Sequence, residues 1–132
     1  MKINFKSIIR QNEQEQTIQF DSPVTITDEN GFKVFSFTEP SLEVENRIEI
    51  SDKEINIYAG SSTVHLKKDE KTEFNLDLTL DDGKEYSFTL VSNWYKSNFQ
   101  DPNFYSFEYS LAKSFEDEDL IGSYHIELTI TE

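Results

Sequence analysis

The amino-acid sequence predicts an all-β protein, an antiparallel up-and-down β-barrel of about eight to ten strands. Apolar residues recur at spacing two through most of the 132 residues, as expected when alternate side chains face one core. Short turn signals separate these runs. The chain also holds 11 Phe and 6 Tyr, which pack well on the pleated surface of a sheet.

Each predicted strand is defined by its own apolar run. In chain order these runs are Ile3/Phe5, Ile18/Phe20, Val24/Ile26, Phe35/Phe37, Ile48/Ile50, Ile55/Ile57, Val64/Leu66, Phe74/Leu76/Leu78/Leu80, Tyr86/Phe88/Leu90, Tyr105/Phe107/Tyr109/Leu111 and Tyr124/Ile126/Leu128/Ile130. A closed sheet would enclose one apolar face and leave no long free edges. A β-sandwich is the alternative, but it needs longer crossover connections than most of those seen here.

Turn chemistry predicts the register of three hairpins, because directly opposed residues share a face. Asn-Gly favours a two-residue turn, whereas the Gly at the end of Asp-Asp-Gly favours a three-residue loop. The predicted pairs are Val24–Phe37 and Ile26–Phe35 around Asn30-Gly31, Ile48–Ile57 and Ile50–Ile55 around residues 51–54, and Phe74–Leu90, Leu76–Phe88 and Leu78–Tyr86 around Asp81-Asp82-Gly83. The longest stretch without a clear period, residues 92–103, predicts a break in the strands that contains Trp94 and lies at the barrel mouth.

Composition predicts a single domain over residues 1–132 and a cytoplasmic location. The chain has no Cys, which excludes disulfides and thiolate sites, and its start lacks the apolar run of a signal peptide. The net charge of -14 disfavours nucleic acid and anionic membrane surfaces, which are bound mainly through cations. The charge is typical of a soluble protein. A basic protein partner is the more specific interpretation.

The pattern resembles the YwiB-like small β-barrel proteins of bacteria. The matching features are Gly60 after the strand 55–59, the strand 74–80, the turn Asp82-Gly83 with the strand 86–90, and the closing pair 107–111 and 121–130. The resemblance implies a lipocalin-like (calycin) barrel. It supplies no activity and no catalytic residues.

The sequence offers little support for an enzyme. His65 and His125 each lie between inward-facing apolar neighbours, so both side chains are predicted to point outward. No Gly-x-Ser-x-Gly motif accompanies them, and their spacing is not that of a zinc site. The acidic run 116–119 lacks the pattern of a calcium loop and is more simply a solvated connection. We therefore expect no catalytic residues, no metal and no cofactor.

The aromatic residues suggest a ligand site instead. Trp94, Tyr86, Tyr105 and Tyr109 are predicted to line the barrel interior near its mouth. A barrel of this size can hold one small ligand, and Tyr hydroxyl groups could orient it. The simpler interpretation is that these rings fill the core. The sequence thus favours non-enzymatic binding of a small apolar or aromatic ligand, with an acidic protein-interaction module as the alternative.

Overall fold

The computed structural model describes residues 1–60, 62–79, 83–100, 103–115 and 120–132, without the side chains of residues 62, 76–79, 86, 88 and 120. Its ten strands are β1 (Lys2–Gln11), β2 (Gln14–Glu29), β3 (Phe32–Glu39), β4 (Val44–Ile50), β5 (Glu54–Ala59), β6 (Ser62–Lys67), β7 (Lys71–Thr79), β8 (Glu85–Gln100), β9 (Phe104–Ala112) and β10 (Leu120–Thr131). The described residues include no helix with the length and apolar character that a membrane crossing requires.

The strands form a single antiparallel sheet in the order β6-β5-β4-β3-β2-β1-β10-β9-β8-β7. Except for β6 and β7, strands that are neighbours in the sequence are neighbours in the sheet. The first strand pairs with the last, from Lys2 opposite Thr131 to Arg10 opposite Ser123. Where β6 turns into β7, Lys67 forms an isolated bridge with Glu70, and Lys68 forms another with Trp94. The sheet is therefore a nearly closed up-and-down barrel, which confirms the predicted fold class, and its seam lies between β6 and β7.

The predicted hairpin registers are confirmed. The pairs Val24–Phe37, Ile26–Phe35, Ile48–Ile57, Ile50–Ile55, Phe74–Leu90, Leu76–Phe88 and Leu78–Tyr86 all lie opposite one another. Asn30 and Gly31 have φ values of 53° and 84°, the two positive angles of a type I′ turn. Gly83 has φ 81°, as its predicted left-handed position requires. Residues 80–82 of that loop lie outside the described residues.

The predicted break at residues 92–103 is wrong for most of its length. Strand β8 continues to Gln100, with a bulge between Trp94 and Lys96 where the register shifts by one residue. The extra residue, Tyr95, moves the next inward position from 96 to 97, so Phe99 rather than Asn98 faces the core opposite Tyr105. A phase shift within one strand looks like a loss of period in the sequence. Residues 101–102 lie outside the described residues.

The core is made of the inward-facing side chains. Of the face predicted to be buried, the structure confirms burial of Phe74, Leu90, Ile126, Leu128 and Ile130, and Tyr124 packs against them half-buried. The side chains of Leu76, Leu78, Tyr86 and Phe88 lie outside those that are described. Large rings, including Phe35 and Phe107, are among the most completely buried groups of the described interior.

Candidate functional site

Three of the four predicted ligand-binding side chains lie inside the barrel. Trp94, Tyr105 and Tyr109 are 1%, 3% and 6% exposed and belong to one hydrophobic cluster. The side chain of Tyr86 lies outside the described ones, although its backbone is paired with Leu78. The described residues thus place three rings in one core, but they have different surroundings.

Tyr109 is surrounded by other aromatic rings. Its ring stacks on Tyr124 with centroids 4.9 Å apart and lies 6.2 Å from Phe107. Gln11 Nε2 donates a hydrogen bond of 2.9 Å to the Tyr124 hydroxyl oxygen. Burial, followed by the nearby Tyr124, raises the pKa of Tyr109 well above its usual value. Tyr109 therefore acts as a packed, uncharged core residue in the described structure.

Trp94 lies beside the bulge in β8, with its side chain 1% exposed. Its indole Nε1 donates a 3.0 Å hydrogen bond to the carbonyl of Lys96, which satisfies the ring's polar group within the bulge. The ring lies 6.2 Å from Phe99. Trp94 also lines an open cavity of about 290 Å³, together with Lys68 and Ser97.

Tyr105 lines an open cavity at one end of the barrel. Its ring meets Phe35 edge-on at 5.1 Å and lies 5.9 Å from Phe99. At the barrel end it opens to a cavity of about 400 Å³ between the β2–β3 turn, the β4–β5 turn and the end of β8. The cavity walls include Phe32, Lys33, Ile50, Asp52, Phe99 and Tyr105.

The aromatic floor of this barrel-end cavity was only partly predicted. Phe99 was missed because the bulge at Tyr95 changes the face on which it lies. Lys33 was missed because a single lysine next to a turn carries no signal of its own. Its Nζ lies 6.0 Å from the centre of the Tyr105 ring, within the range of a cation–π contact.

Both histidines lie on the outer face of the barrel, as predicted. His65 Nδ1 lies 2.7 Å from Asn56 Oδ1. His125 lies between two carboxylates, with Nδ1 3.7 Å from Glu108 and Nε2 3.3 Å from Glu127. Within the described part of the chain, no group of three or more metal-ligating side chains is placed to hold a metal ion. The acidic run 116–119 lies outside the described residues.

The fold and the aromatic interior define the chain as a small antiparallel β-barrel protein. No family model matches it. Among solved structures, the crystal structure of the YwiB protein from Bacillus subtilis is similar, with a TM-score of 0.67 over 99% of this chain and 91% of that chain, at 12% identity. The resemblance to YwiB-like proteins is thus confirmed as a shared fold.

One curated relative is similar in sequence. It is an uncharacterized protein of Mycoplasmopsis pulmonis (strain UAB CTIP), 44% identical over 75 residues. The match covers 55% of this chain and 60% of the relative's length.

Proposed function

We propose that this protein is a non-enzymatic β-barrel that binds a small apolar or aromatic ligand in its barrel-end cavity. The observation that supports this proposal is the floor formed by Phe99 and Tyr105, whose rings lie 5.9 Å apart beneath an open volume of about 400 Å³. Ligand sites commonly have volumes of about 300–1,000 Å³, with apolar and aromatic walls and a few polar groups. Lys33 and Asp52 are such polar groups at the rim.

The proposal gives the predicted residues different roles. Tyr105 contacts the ligand, whereas Trp94 and Tyr109 belong to the core cluster and do not line the cavity. Trp94 remains a useful reporter, because Phe99 lies between it and the cavity, with ring centroids 6.2 Å from Trp94 and 5.9 Å from Tyr105. A ligand that moves Phe99 should alter the emission of Trp94, the only tryptophan in the chain.

The test is a screen of small apolar and aromatic compounds, monitored by Trp94 fluorescence and by melting temperature. A ligand that binds only the folded state raises the melting temperature by mass action. Phe99→Ala should abolish both responses. Phe115→Ala is the matched control, because Phe115 is 48% exposed and lies outside the cavity. The proposal fails if no compound class changes either signal, or if both variants lose binding equally.

An acidic protein-interaction module is the second candidate. It is favoured by the packed surroundings of Tyr109, whose ring stacks against both Phe107 and Tyr124 in the described interior. The net charge of -14 would attract a basic partner. This function predicts association with a basic polypeptide that weakens steeply with added salt, whereas binding in the barrel-end cavity should depend little on salt.

A further inference from the structure

The outer face of strands β2–β5 carries a further cavity, separate from the barrel interior. It is an open groove of about 710 Å³ that ends at Gly60. In the register, Thr25, Ser36, Arg47 and Tyr58 lie opposite one another and form one row across the four strands. The row is on the face opposite the core because it alternates with inward-facing residues such as Phe37.

A second row completes the groove. Thr38 pairs with Glu45, and Pro23 lies beside them on β2. Between the rows, Val24 and Phe37 turn their side chains into the core, so the groove floor there is main chain. We use the name outer groove for this surface, which is formed by the two rows of residues and includes Pro23 and Tyr58.

The outer groove presents both polar and apolar groups to a ligand. Its outward-facing side chains are the hydroxyl groups of Thr25, Ser36 and Thr38, the charged groups of Glu45 and Arg47, and the rings of Pro23 and Tyr58. Burial, and then the nearby Glu49, raises the pKa of Tyr58. The ring meets His65 edge-on, with centroids 6.2 Å apart and an angle of 83°. This contact fixes the orientation of the ring beside the groove.

The charges of the outer groove do not suit an anion. Arg47 donates to Glu49 from Nε at 3.0 Å and to Glu29 from Nη2 at 3.0 Å. Two carboxylates therefore contact one guanidinium group, and the exposed Glu45 adds a third carboxylate to the groove lining. An anionic ligand would be repelled by this excess of negative charge.

A hydrogen-bond network holds Arg47 in place and includes His65, whose ring contacts Tyr58. Asn56 Nδ2 donates to Glu49 Oε1 at 3.1 Å while its Oδ1 meets His65 at 2.7 Å, and Thr27 Oγ1 donates to Glu29 at 3.1 Å. The chain of contacts runs from β6 to β2 along one side of the groove, on the same outer face. A pre-ordered lining loses less side-chain entropy when a ligand binds.

We propose that the outer groove binds a neutral oligosaccharide. A sugar ring has a face rich in C–H groups, which can pack on Tyr58, and a rim of hydroxyl groups. Those hydroxyl groups can pair with Thr25, Ser36, Thr38 and Glu45. The open, extended shape of the groove fits several linked sugar units and needs no enclosed cavity.

The experiment is a titration of the isotopically labelled protein with cellotetraose, maltotetraose and chitotetraose, followed by backbone amide NMR shifts. We expect at least one of them to shift the amides of Ser36 and Tyr58. Tyr58→Ala should weaken binding about tenfold or more, as truncation of a central aromatic contact usually does. Thr38→Arg fills the groove from an exposed position and should weaken binding similarly without disturbing the core.

Tyr95→Ala is the matched control, because Tyr95 is a 52% exposed tyrosine outside the groove. It should leave oligosaccharide binding unchanged. The proposal is overturned if none of the three sugars shifts the groove amides, or if Tyr95→Ala weakens binding as much as Tyr58→Ala. It is also overturned if spermidine or a lysine-rich peptide shifts these amides and the sugars do not. The barrel-end proposal is tested separately by Trp94 fluorescence, so either can fail alone.

Discussion

Ser92 Oγ donates a hydrogen bond of 2.6 Å to the backbone carbonyl of His65 and so links β8 to β6 across the barrel seam. The same hydroxyl lies 3.3 Å from the carbonyl of Thr72 on β7. Ser92 is 0% exposed. One buried side chain therefore connects three strands where the regular pairing of β6 with β7 is missing from the described ladder.

Ser92→Ala should destabilise the barrel by about 1–3 kcal/mol, because it removes the part-buried hydrogen bond that joins β8 to the His65 carbonyl on β6. Urea unfolding measures this loss. The matched control, Ser114→Ala, changes an exposed serine and should stay within about 0.5 kcal/mol. If the two variants are equally stable, the seam does not depend on Ser92.

Leu128→Ala should cost about 2–5 kcal/mol, the usual range for truncating a buried leucine. Leu128 is 0% exposed and packs within the core cluster, opposite Phe5 and Tyr105 in the sheet. Leu42→Ala is the matched control, since Leu42 is 78% exposed. Thermal and urea unfolding should separate the two variants clearly. Similar values for both would contradict the assigned face of β10.

Gly31→Ala should destabilise the β2–β3 hairpin by about 1–2 kcal/mol, because φ at Gly31 is 84° and a Cβ atom is disfavoured there. The cost is conformational, since no heavy atom lies within 4 Å of the place where a Cβ would be. Gly31→Asn should cost less, because Asn tolerates left-handed angles better. Equal losses from Ala and Asn, measured by urea unfolding, would mean that contacts and not backbone angles decide the cost.

The buried hydroxyl of Tyr109 should make the protein less stable in alkali. Burial raises the pKa of Tyr109 in the folded state, whereas the unfolded chain releases this proton near pH 10. Above that pH the unfolded state binds fewer protons, so the free energy of unfolding falls by up to about 1.4 kcal/mol per pH unit. The contribution of Tyr109 is complete below pH 10 or so and is lost as the pH rises.

Tyr109→Phe removes this titration and should reduce the alkaline loss of stability, as measured by urea unfolding at a series of pH values. Tyr95→Phe is the control, because Tyr95 is 52% exposed. Tyr95→Phe should change the pH dependence of the free energy of unfolding less than Tyr109→Phe does. An unchanged alkaline slope in Tyr109→Phe would show that other groups cause the loss.

The barrel class and the three hairpin registers follow from the sequence, because turn chemistry and alternation act over a few neighbouring residues. The two-residue turn at Asn30-Gly31 places Val24 opposite Phe37, and this pairing does not depend on the rest of the chain. The prediction of a break at residues 92–103 failed because alternation is read only over neighbouring residues. One extra residue at Tyr95 shifts the phase of the strand, and only pairing with β9 shows that the strand continues.

The candidate sites depended more on tertiary structure. The sequence placed Trp94, Tyr105 and Tyr109 inside the barrel, but alternation says only which face a side chain occupies. Whether an inward-facing ring touches other rings or open space depends on strands far apart in the chain. Tyr109 meets Tyr124 from β10, whereas Tyr105 meets Phe35 from β3 beside an open end. The outer groove has the same origin, since its row of Thr25, Ser36, Arg47 and Tyr58 exists only when four strands lie in register.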